Sequence, residues 1–395
     1  MRLLLTDCFI YTPEEYGPGE VLVVNGRISE VARRVGARQG AEILALEGAI
    51  LAPGLIDIHI HGSSGLDTMD GKAEAIAGLS AFVAAHGVTG FLPTTVAAPL
   101  SQIEQALQAV RQAVDGGLPG AQVLGVHLEG PFFNRQRAGA QPLDWCVDPS
   151  DDALRHLLAA GEGLIRMISL APELPGAIAA IEACVRRGIV VSIGHTDATY
   201  EQAQAAFAAG ARHITHLFNA MTPLHHREPG VIGAALTTAG VMVQLIADGL
   251  HLHPAILNLA VRCKGVAEVV LITDAIAGTG LPDGEYTMGP QQVIVRNGEA
   301  RTPAGNLAGS TLTLERAIAN MVRLAGVPLP AALQMATLNP ARVLGLEQRK
   351  GRLASGYDAD MVALDTDFNV HLTMVGGQII YERRNYSGAS RPVCK

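Results

Sequence analysis

Lysine is scarce in this sequence: of 29 cationic residues only Lys72, Lys264, Lys350 and Lys395 are lysine, and the other 25 are arginine. No Lys/Arg run occurs and the net charge is −8, so the electrostatic footprint of a nucleic-acid binder is missing. Aromatics make up 4% of the chain, with one Trp. Cysteine occurs five times (Cys8, Cys146, Cys184, Cys263, Cys394), an odd number with no CxxC pair. That excludes a disulfide framework and a cysteine zinc knuckle, and fits a reducing compartment. Long apolar runs are also missing. Residues 75–103 carry no Asp, Glu, Lys or Arg but are cut by Gly87, Gly90, Pro93 and Pro99. Residues 230–247 hold three glycines, two threonines and a glutamine. Neither is a membrane span of about 20 apolar residues, despite a mean hydropathy of +0.26. Asp7 falls too early for the apolar region of a signal peptide. The expectation is a cytoplasmic protein with no membrane and no nucleic-acid partner.

What is present is ample material for a core, since 49% of the residues are hydrophobic. The first 50 residues hold short β-rich runs (Leu3–Tyr11, Val21–Val24, Ile43–Leu46) separated by the turn signals Gly17-Pro18-Gly19 and Asn25-Gly26. Residues 351–384 read alike, with strand-like runs Asp360–Asp365 and Gln378–Tyr381. Between them one unit recurs, an apolar run followed by an alanine-rich helical stretch. Eight runs are counted: Leu55–His61, Thr89–Thr95, Val123–Glu129, Ile165–Ala171, Ile189–His195, His213–Asn219, Met242–Asp248 and Val269–Asp274. Near-continuous Val/Ile/Leu runs are what a parallel sheet covered on both faces requires. The expected fold is α/β, a (β/α)8 TIM barrel over residues 53–345 with a small β-sandwich domain built from both termini, 1–52 and 346–395.

The polar residues fall at the ends of these runs. Six of the eight finish on groups that bind metal or move protons: His59 and His61, Glu129, His195, His216, Asp248 and Asp274. A barrel gathers its strand C-termini at one face, so residues more than 200 positions apart would converge there. His59 and His61, two apart on a strand, point to the same side and make a metal pincer. A carboxylate such as Glu129 in an apolar barrel mouth is costly unless paired or bound to a metal. Glu129, His195 and His216 form a three-ligand set that leaves a position open for water, as catalytic zinc needs. Asp274 is placed to act as general base and then acid. His127 and His213 read as structural, and His86, His156 and His371 as surface residues.

The motifs APGLIDIHIHG (52–62), HLEGPF (127–132), IGHT (193–196), HLFNAM (216–221), HHREPG (225–230), DGLH (248–251), ITDA (272–275) and LAGS (307–310) carry a resemblance that covers essentially the whole chain. It is to the N-acetylglucosamine-6-phosphate deacetylases of the amidohydrolase superfamily. The resemblance implies metal-dependent hydrolysis of the N-acetyl group of a phosphorylated amino sugar, by a homodimer holding one or two divalent ions (Zn2+, with Fe2+, Co2+ or Mn2+ as alternatives). It implies Glu129, His195 and His216 as the main ligands, His59 and His61 as ligands of a second ion, and Asp274 as the acid/base. Asn219, Ala220, Arg227 and His251 would hold the 6-phosphate and hydroxyls, and His226 and Arg227 would reach a neighbouring subunit's site. Leu307, Ala308 and Gly309 would form a loop over the sugar. Next to Ala140, Gln141 stands where several members have a carbonyl-polarising His; its amide donates a hydrogen bond but cannot become cationic. Other superfamily members bridge two metals with a carboxylated lysine; no lysine lies between Lys72 and Lys264, so Glu129 takes that role. The rival readings are the galacto-epimer deacetylase, an N-acyl-D-amino-acid deacylase, a purine aminohydrolase, and a non-catalytic scaffold of the same fold.

Overall fold

The structure is a computed structural model and describes residues 2–383. Residues 384–395, with Cys394 and Lys395, lie outside the described residues. The chain opens with β1 (Arg2–Tyr11), β2 (Glu15–Val24), β3 (Arg27–Ala32) and β4 (Glu42–Pro53). The middle then alternates as expected: β5 (Leu55–Ile60), α1 (Ala73–Ala85), β6 (Val88–Pro93), α2 (Leu100–Gly116), β7 (Val126–Glu129), α3 (Asp151–Ala160), β8 (Ile165–Leu170), α4 (Ala177–Val185), β9 (Val190–Ile193), α5 (Tyr200–Ala208), β10 (His213–Ile214), α6 (Gly230–Thr237), β11 (Met242–Ile246), α7 (Pro254–Lys264) and β12 (Val269–Ile272). An insertion of three strands follows, β13 (Gly284–Met288), β14 (Gln291–Arg296) and β15 (Glu299–Arg301). Then come α8 (Leu314–Arg323), α9 (Leu329–Ala336), α10 (Leu338–Val343), β16 (Met361–Leu364), β17 (Val370–Val375) and β18 (Gln378–Glu382).

Strands β5 to β12 are the eight barrel strands. Pairing is parallel from β7 through β12 and between β5 and β6. The barrel closes through two parallel bridges, Thr94↔His127 and Ile60↔Ala275. Hydrogen bonds from Asp274 N to His59 O and from His61 N to Ala275 O (both 2.9 Å) lock the second seam. Strand residues are buried on both faces, with every residue of β5, β6, β7 and β12 inaccessible or nearly so. Several helices cover them with one apolar stripe, while α6 is buried all round from Gly230 through Ala235. In α8 that stripe is Leu314, Ala317, Ile318 and Met321, spaced three and four apart. Thr199 and Gln202 form a capping box that starts α5.

The strands are shorter than the apolar runs. β10 keeps two residues, and the run at 123–129 is broken before β7, where Gly125 adopts a φ of +141°. The two termini build one seven-stranded sheet in the order β18-β17-β16-β4-β1-β2-β3. Its inner face holds Leu5, Ile10, Val21, Leu46, Met361 and Leu372. β4 pairs with β16 (Pro53↔Met361), which ties the last barrel-flanking segment to the first. The insertion β13–β15 forms its own antiparallel sheet, packed through Met288, Val293 and Val295 onto Val96 and Ile276. No described helix is long and apolar enough to cross a membrane.

Candidate metal centre and active site

Two three-residue groups of ligand type face each other at the C-terminal mouth of the barrel: His59, His61 and Asp274, and Glu129, His195 and His216. All six are buried. Glu129 lies between the groups, with Oε1 3.3–3.4 Å from Nε2 of His59, His195 and His216, and Oε2 3.4 Å from His61 Nε2. Asp274 Oδ1 is 3.1 Å from His61 Nε2 and 3.3 Å from His59 Nε2. The six residues that sequence periodicity scattered over more than 200 positions therefore form one cluster.

Local backbone geometry turns these side chains inward. His195, His216 and Asp274 each lie two residues past their strands and adopt φ of +49°, +28° and +51°. Phe218 and Ala220 follow with φ of +78° and +50°. Non-glycine residues rarely adopt this left-handed region, which costs on the order of 1–3 kcal/mol each and clusters where function demands it. Gly309 is required beside Asp274, since a Cβ there would stand 2.7 Å from Asp274 O.

The donor set fits a divalent metal ion. His195 Nδ1 faces the carbonyls of Arg137 and Ala138 (3.2 and 3.1 Å), and His61 Nδ1 faces Thr94 O (3.3 Å). A carbonyl only accepts, so each Nδ1 carries the hydrogen and each Nε2 presents a bare lone pair. Those lone pairs meet: His59 Nε2 is 3.3 Å from His61 Nε2, and His195 Nε2 is 3.1 Å from His216 Nε2. Glu129 Oε1, wholly buried, has no hydrogen-bond donor. Facing lone pairs and carboxylates call for positive charge between them. Where no cation lies between them, the carboxylates draw a second proton onto the rings of His59 and His61 instead. Burial opposes charge on His59 and His61, but Glu129 and Asp274 overcome it and hold both above the usual histidine range, His61 well above. Burial likewise opposes ionisation of Glu129 and Asp274. The surrounding histidines nonetheless hold Glu129 well below the ordinary carboxylate range and Asp274 down to about 2.

A cavity of about 390 Å3 opens above this cluster. Ala140, Gln141, Asn219, Ala220, His251, Leu307 and Gly309 line it together with five of the six ligand-type residues. Ala308 is fully buried beneath the loop and does not line it. His226 and Arg227 are exposed, lie outside this chain's cavity and bond each other at 2.7 Å. Asp248 is not in the cluster. It accepts from the backbone N–H groups of Leu250 and His251 and bonds His251 Nδ1 at 2.6 Å, raising the histidine's pKa against the effect of burial. Gln141 is not free to serve an acyl oxygen alone. Its Oε1 accepts from Ala97 N (2.8 Å) and its Nε2 donates to Glu129 Oε2 (2.8 Å). Sequence reasoning missed Met288, Arg301 and Asn306, which also line the cavity. All three come from the insertion β13–β15 and the loop after it, off the strand ends where functional residues were sought.

The model of the amidohydrolase family matches residues 50–380. The N-acetylglucosamine-6-phosphate deacetylase of Vibrio furnissii is 43% identical over 91% of this chain and 89% of its own length. The N-acetylgalactosamine-6-phosphate deacetylase of Escherichia coli O157:H7 is 44% identical over 84% of this chain and 88% of its own. A solved structure of the Mycobacterium smegmatis N-acetyl-D-glucosamine-6-phosphate deacetylase, in complex with that sugar phosphate, superposes with a TM-score of 0.90. It is 37% identical, over 96% of this chain and 99% of that one.

Proposed function

The chain belongs to the amidohydrolase family, and from that premise we propose that it hydrolyses the N-acetyl group of N-acetylglucosamine-6-phosphate to acetate and the free amino-sugar phosphate. The observation that carries this reading is the convergence of His59, His61, Glu129, His195, His216 and Asp274 under a polar-rimmed cavity. The catalytic domain is the barrel of residues 53–345, and 1–52 with 346–395, of which 384–395 lie outside the described residues, are assigned to the smaller one.

Glu129, His195 and His216 would hold one ion, and His59 and His61 a second with Asp274 beside it. Zinc suits a three-ligand N/O set with an open position, with Fe2+, Co2+ or Mn2+ as the alternatives. Such an ion supplies Lewis acidity, favouring hydroxide at neutral pH and drawing electron density from an acyl oxygen. Asp274, ionised in its resting state, takes the proton from the attacking water as the C–O bond forms. The second N–H of the Gln141 amide, beyond the one given to Glu129, donates to the acyl oxygen as negative charge develops there. Asp274 then passes its proton to the nitrogen as the C–N bond breaks, so the amine leaves neutral and acetic acid is formed, which gives up its own proton to water as acetate. Asn219 and His251 hold the sugar phosphate, His251 being biased toward its cationic form by Asp248. Arg227, exposed and not lining its own cavity, supplies a bidentate fork to the phosphate bound in a neighbouring subunit of a homodimer. The buried free thiols Cys8, Cys146 and Cys184 suit the cytoplasm.

The test is acetate release from N-acetylglucosamine-6-phosphate and from its galacto epimer, with and without a chelator. The reading expects chelator-sensitive release, faster from the gluco substrate. Release from the galacto epimer alone would move the assignment to that activity, as the relative from Escherichia coli O157:H7 makes reasonable. Activity only on unphosphorylated N-acyl amino acids would overturn the substrate class. No bound divalent ion, and no activity on adding zinc, would leave a scaffold.

A further inference from the structure

We propose that Gln244, on β11, is a positioning residue that joins the two halves of the metal centre and sets which nitrogen of His59 faces the ion. This deepens the proposed function and rests on its metal site. Gln244 is fully buried in a strand otherwise made of apolar side chains. Its Oε1 lies 3.2 Å from the backbone N–H of His216 and 3.1 Å from His59 Nδ1. Its Nε2 reaches only Met167 Sδ, at 3.8 Å, a weak acceptor.

The identity of the facing atoms follows by elimination. A backbone N–H only donates, so the amide atom opposite His216 is oxygen; turning the amide over would set two donors against each other. The same oxygen then faces His59 Nδ1, and an oxygen without hydrogen only accepts. His59 Nδ1 therefore carries the hydrogen, and Nε2 keeps the lone pair that points toward Glu129 and Asp274. One side chain thus reads the backbone beside His216, a ligand of the first group, and imposes a tautomer on His59, a ligand of the second. Partners that orient a metal-binding histidine are worth roughly 10–100-fold in metal affinity.

The experiment uses the full chain stripped of metal and titrated with zinc against a chromophoric chelator, for wild type, Gln244→Met and Gln244→Glu. Met keeps the volume but has no oxygen; Glu keeps an acceptor at the same reach. The proposal expects the zinc Kd of Gln244→Met to rise at least about tenfold, with Gln244→Glu within about threefold of wild type. Nitrogen-15 NMR of the zinc-loaded wild type is expected to show a solvent-protected Nδ1–H on His59 with Nε2 bound. Equal zinc affinity in Gln244→Met and wild type overturns the proposal, and so does an equal loss in both variants, which would point to packing. If Gln244→Met fails to fold, the wild-type spectrum decides: a hydrogen on Nε2, or zinc on Nδ1, overturns it. A wild type that binds no divalent ion would instead sink the metal reading, and this proposal with it.

Discussion

His59 and His213 are both buried in the barrel, yet one is held above the usual histidine range and the other is pushed down to about 3. The difference is what surrounds them. At the barrel mouth, Glu129 and Asp274 lie within 3.3 Å of His59. One layer deeper, uncharged hydroxyls replace the carboxylates. His127 Nε2 bonds Ser169 Oγ (2.7 Å), Ser169 bonds Thr215 (2.6 Å), Thr215 bonds Ser192 (2.6 Å), and Ser192 meets His213 Nδ1 (3.3 Å). His127 accordingly falls well below the ordinary value, through burial and through the repulsion of His59. Burial alone does not set a histidine's role: at the mouth the two carboxylates lift His59 and His61, while for His216 burial outweighs Glu129 and the ring is lowered, as in the deeper layer.

Substitutions in the two layers should part in size. Asp274→Asn removes the group proposed to move the proton twice, and kcat is expected to fall about 10^2–10^4-fold with metal still bound. Near-normal turnover in that variant would end the acid/base assignment. Glu129→Gln is expected to cost more than the roughly 10–100-fold in metal affinity of a lost orienting partner, because Glu129 touches both groups. His127→Gln should keep its metal; metal analysis after dialysis separates the two outcomes.

Arg227→Ala should raise KM roughly 10–100-fold, the worth of one charged hydrogen bond, with kcat nearly unchanged. Arg301→Ala in parallel shows whether the arginine lining this chain's own cavity shares that task. The smallest effect is on stability. His213 in the folded chain takes no proton until near pH 3, whereas in the unfolded chain it does so near pH 6.5. Its contribution is thus intact above pH 6.5 and is lost as pH falls from there toward 3, by about 1.4 kcal/mol per unit. Urea unfolding of His213→Gln at pH 6.5 and 5.5 should show a shallower loss than wild type.

The mouth was legible in the sequence and the layer beneath it only partly. His59, His61, Glu129, His195, His216 and Asp274 stood out because polar groups ended apolar runs, and closure of the barrel gathers run ends. The barrel itself was legible for the same reason, since burial on both faces leaves continuous Val/Ile/Leu. Gln244 and Asp57 were not, because each sits inside a run and its task depends on cross-strand neighbours. Asp57, for instance, takes the Thr273 hydroxyl at 2.6 Å, and burial lifts its carboxyl to about 6. The insertion β13–β15 was missed because a sheet covered on one side alternates, with no long apolar run to mark it. Arg301 was missed with it.

The sheet built from both termini has a consequence for synthesis. β4 finds its partner β16 only when Met361 has been made to meet Pro53. At about 5–20 residues per second, the intervening stretch takes on the order of 15–60 s to translate. For that time the growing chain carries β4 with one bare edge of N–H and C=O groups, open to other chains. The same strand pairing that finishes the folded molecule leaves its unfinished form exposed to aggregation.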